Sequence, residues 1–228
     1  MQRAPKRNGL LTPLQLEVLR ALRNVPDAER FYLTGGTALA EFYLGHRRSF
    51  DLDLFTTEHG LVQPFSRVAE EALRREGIDV AVVRRLATFA ELQVSRGSEA
   101  VRVQFAYDAP NRFAPPVETE LGLVNDFQDL AVDKLLAFFG REEPRDAVDL
   151  AFIFREVDPW VLLELAPAKD PGFDLYWFAQ ALEKAQEFPD EIERWPVEMV
   201  LPLDVRALKA SFRALADAIM LRLKPRRS

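Results

Sequence analysis

The chain has 228 residues, of which 48% are hydrophobic, and this is enough to bury a sizeable core in one or two domains. It has no cysteine and only two histidines, which excludes disulfides, thiolate metal sites and cysteine nucleophiles and argues against a histidine-rich zinc site. The net charge of −6 argues against a broad surface that coats nucleic acid. No apolar run reaches the roughly 20 residues of a membrane helix, and no signal-type apolar segment follows the basic first residues, so we expect a cytoplasmic protein without a membrane partner.

The first predicted elements are a helix and a short strand that leads into a glycine turn. Residues 1–9 are predicted to be a flexible arm. A threonine cap, a proline at the first helical position and apolar spacing predict a helix over residues 12–22. The apolar run at 31–33 ends at Gly35-Gly36 and predicts a strand entering a tight turn. The helix-prone residues that follow end at Gly45, a predicted C-terminal cap.

The next elements are strands and a helix, and the chain then becomes helical. Residues 49–55 alternate polar and apolar side chains and predict a half-buried strand. A helix over 64–76 and a turn at 96–98 are also predicted. Further strands are predicted over 79–84, 90–95 and 100–107, and later helices over 130–139, 144–154, 175–187 and 205–223. We therefore expect two domains, 1–125 and 126–228.

The pair Asp51 and Asp53 carries the chemistry. Alternation along a strand places both carboxylates on one face. Two neighbouring carboxylates repel each other unless a cation lies between them, and a hard, oxygen-bound ion such as Mg²⁺ meets that need and also binds triphosphate oxygens. The pair alone could equally be the solvated face of an edge strand.

The glycine turn upstream favours the functional interpretation. Backbone amides at Gly35 and Gly36, with a helix behind them, suit a phosphate group, and Thr37 adds a hydroxyl donor. A tight turn uses the same residues for purely structural reasons. The turn and the carboxylate pair, one helix apart, are together more specific than either alone.

Four motifs occur in a fixed order along the chain. They are Leu33-Thr-Gly-Gly-Thr-Ala-Leu-Ala, Leu44-Gly-His-Arg-Arg-Ser-Phe-Asp-Leu-Asp-Leu-Phe, Asp133-Lys-Leu-Leu-Ala and Arg145-Asp-Ala-Val-Asp-Leu. With these motifs the chain resembles the AbiEii/AbiGii toxin family of nucleotidyltransferases, which belongs to the polymerase-β superfamily. The resemblance covers residues 31–154.

The resemblance implies an α+β fold, with a polymerase-β-type core of a short mixed sheet and flanking helices, and a C-terminal helical domain that completes the active-site cleft. It implies transfer of a nucleoside monophosphate from a nucleoside triphosphate, with Mg²⁺ or Mn²⁺, to an acceptor hydroxyl such as the 3′ end of a tRNA. It also implies the toxin half of a toxin–antitoxin or phage-defence pair, with a cognate antitoxin protein as a partner.

The resemblance assigns a role to each matching residue. Asp51 and Asp53 would hold the metal. Lys134 would neutralise charge that develops on phosphate, and Asp149 would hold the site together or pair with that lysine. The implied nucleotide-binding residues are Gly35, Gly36, Thr37, Arg47, Ser49, Arg145 and Asp146. Without the family pattern, Lys134 could be a surface lysine, and the arginine and aspartates of the fourth motif could form a self-paired salt-bridge cluster.

One position departs from the superfamily pattern. Gln104 stands where a third carboxylate is expected, and glutamine cannot act as a base; Asp108 could substitute for it. Two alternatives therefore stay open, a nucleotide- or partner-binding module without turnover and the nucleotidylation of a protein hydroxyl. The tryptophans at 160, 177 and 195 are predicted to be core residues and not a base-stacking platform.

Overall fold

A computed structural model describes residues 3–224 of the chain. It divides into two compact units, the first ending at Leu130 and the second beginning at Ala131. The first unit combines a sheet with helices and the second is helical, so the predicted α+β class is confirmed. Among the described residues, no helix has the length and apolar character needed to cross a membrane.

A mixed seven-stranded sheet forms the centre of the first unit. The spatial order is β3-β4-β5-β2-β1-β7-β6, with β2 parallel to β5 and β1 parallel to β7. The strands are β1 Tyr32–Thr34, β2 Leu52–Thr56, β3 Asp79–Arg85, β4 Phe89–Arg96, β5 Glu99–Tyr107, β6 Val117–Thr119 and β7 Gly122–Val124. The strands predicted before residue 110 are confirmed, except that β2 begins at Leu52 and not at residue 49, and Phe50 before it is exposed. The β6–β7 hairpin was not predicted, because it follows directly on two prolines that indicate a loop.

Two helices cover one face of this sheet. Helix α1, Pro13–Arg23, starts at a capping box in which Thr12 Oγ1 accepts from the Gln15 amide at 3.2 Å and the Thr12 amide donates to Gln15 Oε1 at 2.9 Å. Helix α3, Val62–Arg75, packs its Phe65 ring on Phe105 of β5, with the ring centroids 5.3 Å apart. The apolar residues of β2, β4 and β5 point to these helices, so the alternating polar residues lie on the opposite face.

The N-terminal residues are held in place, and the prediction of a flexible arm over residues 1–9 is wrong for the described part. After β1 the chain forms a short helix α2, Gly35–Leu39, that continues as a π-helical turn over Ala40–Leu44 and ends at Gly45. Backbone carbonyls near the end of a helix lack partners within it. Here the Lys6 and Asn8 amides donate to two of them at 2.8 Å each, and the buried Glu41 carboxylate accepts from Arg7 Nε at 2.9 Å.

The second unit is built from helices around a core of phenylalanines. Their rings, at Phe138, Phe178 and Phe212, lie edge to face with centroids 5.6 to 6.5 Å apart. The helices are α4 Phe127–Arg141, whose first turn belongs to the first unit, α5 Pro144–Glu156, α6 Pro159–Lys169, α7 Leu175–Lys184 and α8 Val205–Leu223. Helix α6 was not predicted, because Pro167 within it is a breaker signal.

The three tryptophans do not share one environment. Trp195 is buried, Trp160 is half-buried and carries the Arg222 guanidinium 4.9 Å above its ring, and Trp177 is 63% exposed. The prediction that all three are core residues is therefore wrong for Trp177, which lies on the solvent side of α7. A helical hydrophobic pattern does not indicate which aromatic residue at the margin of the apolar face stays exposed.

Candidate active site

The glycine turn and the carboxylate strand are in direct contact. Strand β1 ends at Thr34, which pairs with Asp53 on the antiparallel strand β2. Gly35 follows with φ +70°, a left-handed conformation that glycine adopts without strain. A Cβ atom at Gly35 would overlap the Asp53 carboxylate. Glycine at this position therefore lets the carboxylate lie directly against the turn.

The second glycine faces two more of the predicted residues. A Cβ atom at Gly36 would lie 2.8 Å from Arg47 Nη2 and 2.8 Å from Ser49 Oγ. The Ser49 carbonyl accepts from Gln15 Nε2 of helix α1 at 3.0 Å, and Arg47 Nη1 donates to the Arg48 carbonyl at 3.0 Å. The structure thus brings the guanidinium and the hydroxyl to the same turn. Their predicted contact with phosphate stays a prediction.

Thr37 fixes the start of the carboxylate strand. Its side chain is buried, and its hydroxyl donates to the backbone carbonyl of Asp51. The hydroxyl thereby ties the helix after the turn to the residue that immediately precedes β2. The predicted role of Thr37 in binding triphosphate stays a prediction.

An arginine that was not predicted pairs with the first carboxylate. Arg102 of β5 forms an ion pair with Asp51, and this hydrogen bond raises the pKa of the Arg102 guanidinium above its usual value. Both side chains are half-exposed. The signal in the sequence was the position of Arg102 two residues before Gln104, on the same face of the strand, but only the pairing of β5 with β2 brings it to Asp51.

The third-carboxylate position carries an amide that is bound to an acid. Gln104 pairs with Asp53 on one side and with Glu91 of β4 on the other, and its Nε2 donates to Glu91 Oε2 at 2.7 Å. Sequence reasoning missed Glu91. Asp108 lies four residues beyond Gln104, about 13 Å along the strand, and accepts from the Tyr32 hydroxyl. Asp108 therefore does not take the place of the third carboxylate.

The oxygen donors beside the glycine turn fit a hard divalent cation. Two half-exposed carboxylates lie on one face, and the absent side chain of Gly35 leaves room for one of them beside the turn. Among residues 3–224 no group of three or more His, Asp or Glu side chains could hold a metal ion. The acids would therefore supply two ligands and leave coordination positions for phosphate oxygens.

The two later motifs meet in a buried ion-pair cluster within the second unit. Lys134 of α4 is buried, with Nζ 2.7 Å from Asp149 Oδ2 and 3.3 Å from Asp146 Oδ1. Arg141 holds Asp146 with two hydrogen bonds of 2.6 and 2.9 Å, and this pairing raises the pKa of the guanidinium. The interpretation of Lys134 as a surface lysine is wrong, and its predicted pairing with Asp149 is present.

The predicted self-paired cluster of the fourth motif takes a different form. The carboxylates of Asp146 and Asp149 pair with α4, whereas Arg145 pairs with Glu143 at 2.6 Å on the surface. The predicted roles of Lys134, Arg145, Asp146 and Asp149 in catalysis and nucleotide binding stay predictions.

The motifs and their geometry agree with one protein family. The model of the AbiEii nucleotidyl transferase toxins of type IV toxin–antitoxin systems matches residues 17–220. The chain belongs to the AbiEii family. The match includes both units, so the AbiEii assignment extends beyond residue 154, where the resemblance of the motifs ends.

Solved structures support the same fold for this AbiEii chain. JHP933 from Helicobacter pylori has a TM-score of 0.61 at 19% identity, over 91% of this chain and 90% of that protein. A Helicobacter pylori protein assigned as a nucleotidyltransferase has a TM-score of 0.60 at 20% identity, over 93% of this chain and 97% of that protein. No curated protein sequence matches the chain.

Membership of the AbiEii family identifies the chain as a nucleotidyltransferase and a toxin of the type IV toxin–antitoxin class. It favours an enzyme over the alternative of a binding module without turnover.

Proposed function

We propose that this AbiEii chain transfers a nucleoside monophosphate from a nucleoside triphosphate, in the presence of Mg²⁺ or Mn²⁺, to a hydroxyl group of an RNA such as the 3′ end of a tRNA. The observation that carries the proposal is the contact of Gly35 with the Asp53 carboxylate, next to Asp51. It joins the turn that we propose binds phosphate to the acids that we propose bind the metal.

The residues of this site have distinct roles in the proposed reaction. Asp51 and Asp53 hold the cation, which when bound neutralises phosphate charge and orients the triphosphate. The Gly35 and Gly36 amides donate to phosphate oxygens, and Arg47 presents a planar guanidinium that suits a phosphate group. Ser49 and Thr37 hold the loop before β2 against the turn.

The proposed reaction is a single displacement at phosphorus. The acceptor oxygen forms a bond to the α-phosphorus, the bond from that phosphorus to the bridging oxygen breaks, and pyrophosphate leaves while the hydroxyl proton passes to solvent. Positioning and charge neutralisation would account for most of the rate, as in other phosphoryl-group transfers.

As a toxin of a toxin–antitoxin system, the enzyme is proposed to act against a cellular RNA and to be opposed by a cognate antitoxin. A small RNA footprint agrees with the acidic chain.

A labelling experiment tests the proposal. Each of the four α-³²P-labelled nucleoside triphosphates is incubated with Mg²⁺, total tRNA, a mixture of cellular proteins and the purified chain, and products are separated on RNA and protein gels. We expect label on RNA with the wild type and none with Asp51→Ala. Asp79→Ala, which removes an exposed acid from β3, is the matched control and should label as the wild type does.

The two gels distinguish the acceptors. Label on protein and not on RNA would support the nucleotidylation of a protein hydroxyl. If Asp51→Ala labels as well as the wild type, the assignment of the metal-binding carboxylates is wrong.

A further inference from the structure

Gln104 lies between two acids on one rung of the sheet. Its direct neighbours are Asp53 on β2 and Glu91 on β4, and all three side chains are half-buried on the polar face. The sequence alone indicated only that Gln104 stands where a third carboxylate is expected. Its position in the sheet gives it a defined set of partners.

The hydrogen bond to Glu91 fixes the orientation of the Gln104 amide. A carboxylate accepts hydrogen bonds and does not donate them, so the NH₂ group of the amide must face Glu91, as the 2.7 Å contact from Nε2 shows. The oxygen Oε1 is therefore not the atom that contacts Glu91, and the residue paired with Gln104 on the other neighbouring strand is Asp53.

We propose that Gln104 Oε1 is the third protein oxygen ligand of the cation held by Asp51 and Asp53, and that Glu91 is a positioning residue that keeps this oxygen turned toward it. Side-chain amide oxygens are ligands that hard cations accept. This inference rests on the proposed function, because it concerns the same metal. It identifies the ligand that replaces the usual acid.

The arrangement also explains why the ligand is neutral. An acid at position 104 would stand directly opposite Glu91, and like charges on opposite residues of a strand pair destabilise the sheet. The site keeps a third acid, Glu91, but this acid lies one strand farther from Asp53 than Gln104 does and acts through the Gln104 amide.

Direct binding of Mn²⁺ alone to the purified full chain, measured from the electron paramagnetic resonance signal of the free ion, tests the proposal without turnover. We expect Gln104→Leu to weaken binding about tenfold, and Glu91→Gln to weaken it roughly three- to tenfold because the amide is then free to turn over. Gln93→Leu, at the next residue on the same face of β4, is the matched control and should bind as the wild type does.

A double-mutant cycle separates the positioning role from the simple charge of Glu91. If Glu91 acts through the amide, Glu91→Gln has less than about a twofold effect in the Gln104→Leu background. The exchange variant Glu91→Gln with Gln104→Glu, in which a new carboxylate accepts from a new amide, should restore Mn²⁺ affinity to within about threefold of the wild type.

Three outcomes are decisive. An unchanged affinity in Gln104→Leu, with affinity lost in Asp53→Asn, would overturn this inference and leave the proposed function standing. A full effect of Glu91→Gln in the Gln104→Leu background would assign Glu91 an electrostatic role only and also overturn the inference. Equal affinity of the wild type and Asp53→Asn would instead overturn the metal assignment of the proposed function. Urea unfolding of each variant excludes a loss of binding through loss of fold.

Discussion

Two glycines of the first unit share a backbone conformation but differ in their surroundings. Gly35 has φ +70° and Gly97, in the turn between β4 and β5, has φ +60°. A Cβ atom at Gly97 would meet nothing within 4 Å, whereas one at Gly35 would overlap the Asp53 carboxylate. The pair therefore separates the cost of a left-handed residue from the effect of crowding the carboxylate.

We expect Gly35→Ala to lower nucleotide incorporation by about 100-fold or more, because a displacement of the reacting groups by about 1 Å has an effect of that size. Gly97→Ala should leave incorporation unchanged, although each substitution costs about 1 kcal/mol of stability for the left-handed backbone. Incorporation assays and urea unfolding of both variants measure the two effects. Wild-type incorporation by Gly35→Ala would contradict the proposed contact between the turn and the acid.

The ion pair of Arg102 with Asp51 predicts competition with the metal. The Arg102 guanidinium and a divalent cation would compete for the Asp51 carboxylate, so removal of the guanidinium should favour binding of the cation. We expect Arg102→Gln to lower the Mn²⁺ concentration for half-maximal incorporation about two- to fivefold, the range for a partly exposed ion pair. Arg96→Gln, which removes the pairing with Glu17 at 2.6 Å, is the control. A higher requirement for Mn²⁺ would show that Arg102 instead helps to hold the triphosphate.

At the scale of elements, α4 and α5 are joined by the buried pair of Lys134 and Asp149. Breaking such a pair leaves an uncompensated buried charge. We therefore expect Asp149→Asn to lower the free energy of unfolding by about 3 to 5 kcal/mol, measured in urea. Arg145→Gln, which removes the surface pairing with Glu143, should cost less than about 1 kcal/mol.

The same experiment separates structural from catalytic effects. Asp51→Asn should abolish incorporation, because it removes a proposed metal ligand. Because Asp51 is half-exposed, this substitution should not lower the free energy of unfolding. A stable Asp149→Asn variant without activity would contradict the structural role and favour direct participation of that carboxylate in catalysis.

The N-terminal segment depends on one buried acid in the π-helical turn. Glu41 accepts hydrogen bonds from Arg7, from the Gly9 amide at 3.2 Å and from the Leu10 amide at 2.5 Å. Hydrogen bonds to a charged group contribute about 1.5 to 3 kcal/mol each. We expect Glu41→Ala to speed tryptic cleavage after Arg7 by about tenfold or more. Glu120→Ala, which removes the exposed second partner of Arg7, should change the rate less than about fivefold.

For the molecule as a whole, local patterns predicted the elements and the candidate pair of metal-binding acids. The period-two alternation predicts Asp51 and Asp53 on one face. Burial alternates over Leu52–Thr56, and Asp51, which precedes this strand, pairs with Arg102 on the polar face of β5. Arg102 and Glu91 could not be predicted in the same way. Arg102 is 51 residues from Asp51, and only the order of strands in the sheet brings them together. Both Arg102 and Glu91 are charged residues on the polar face of a strand, and their contacts depend on which strands lie beside them.

The acidic character of the whole chain predicts a limited contact with RNA. With a net charge of −6, the protein should neutralise only roughly three to five phosphates. We expect the logarithm of its affinity for tRNA to fall with the logarithm of salt concentration with a slope of about −2 to −4. Fluorescence anisotropy of labelled tRNA at several NaCl concentrations gives this slope. A slope steeper than about −6 would indicate an extensive basic surface.

The rung that joins Asp53, Gln104 and Glu91 has a consequence for how such enzymes diverge. A shift of one residue along a strand turns a side chain to the opposite face, whereas a move to the adjacent strand keeps the face and changes the distance from the glycine turn by one strand spacing. During evolution, an acid can therefore be exchanged between paired positions on adjacent strands more easily than between successive positions on one strand. Relatives with an acid at the position of Gln104 should carry a neutral or basic residue at the position of Glu91, so that the two sites covary as an exchange.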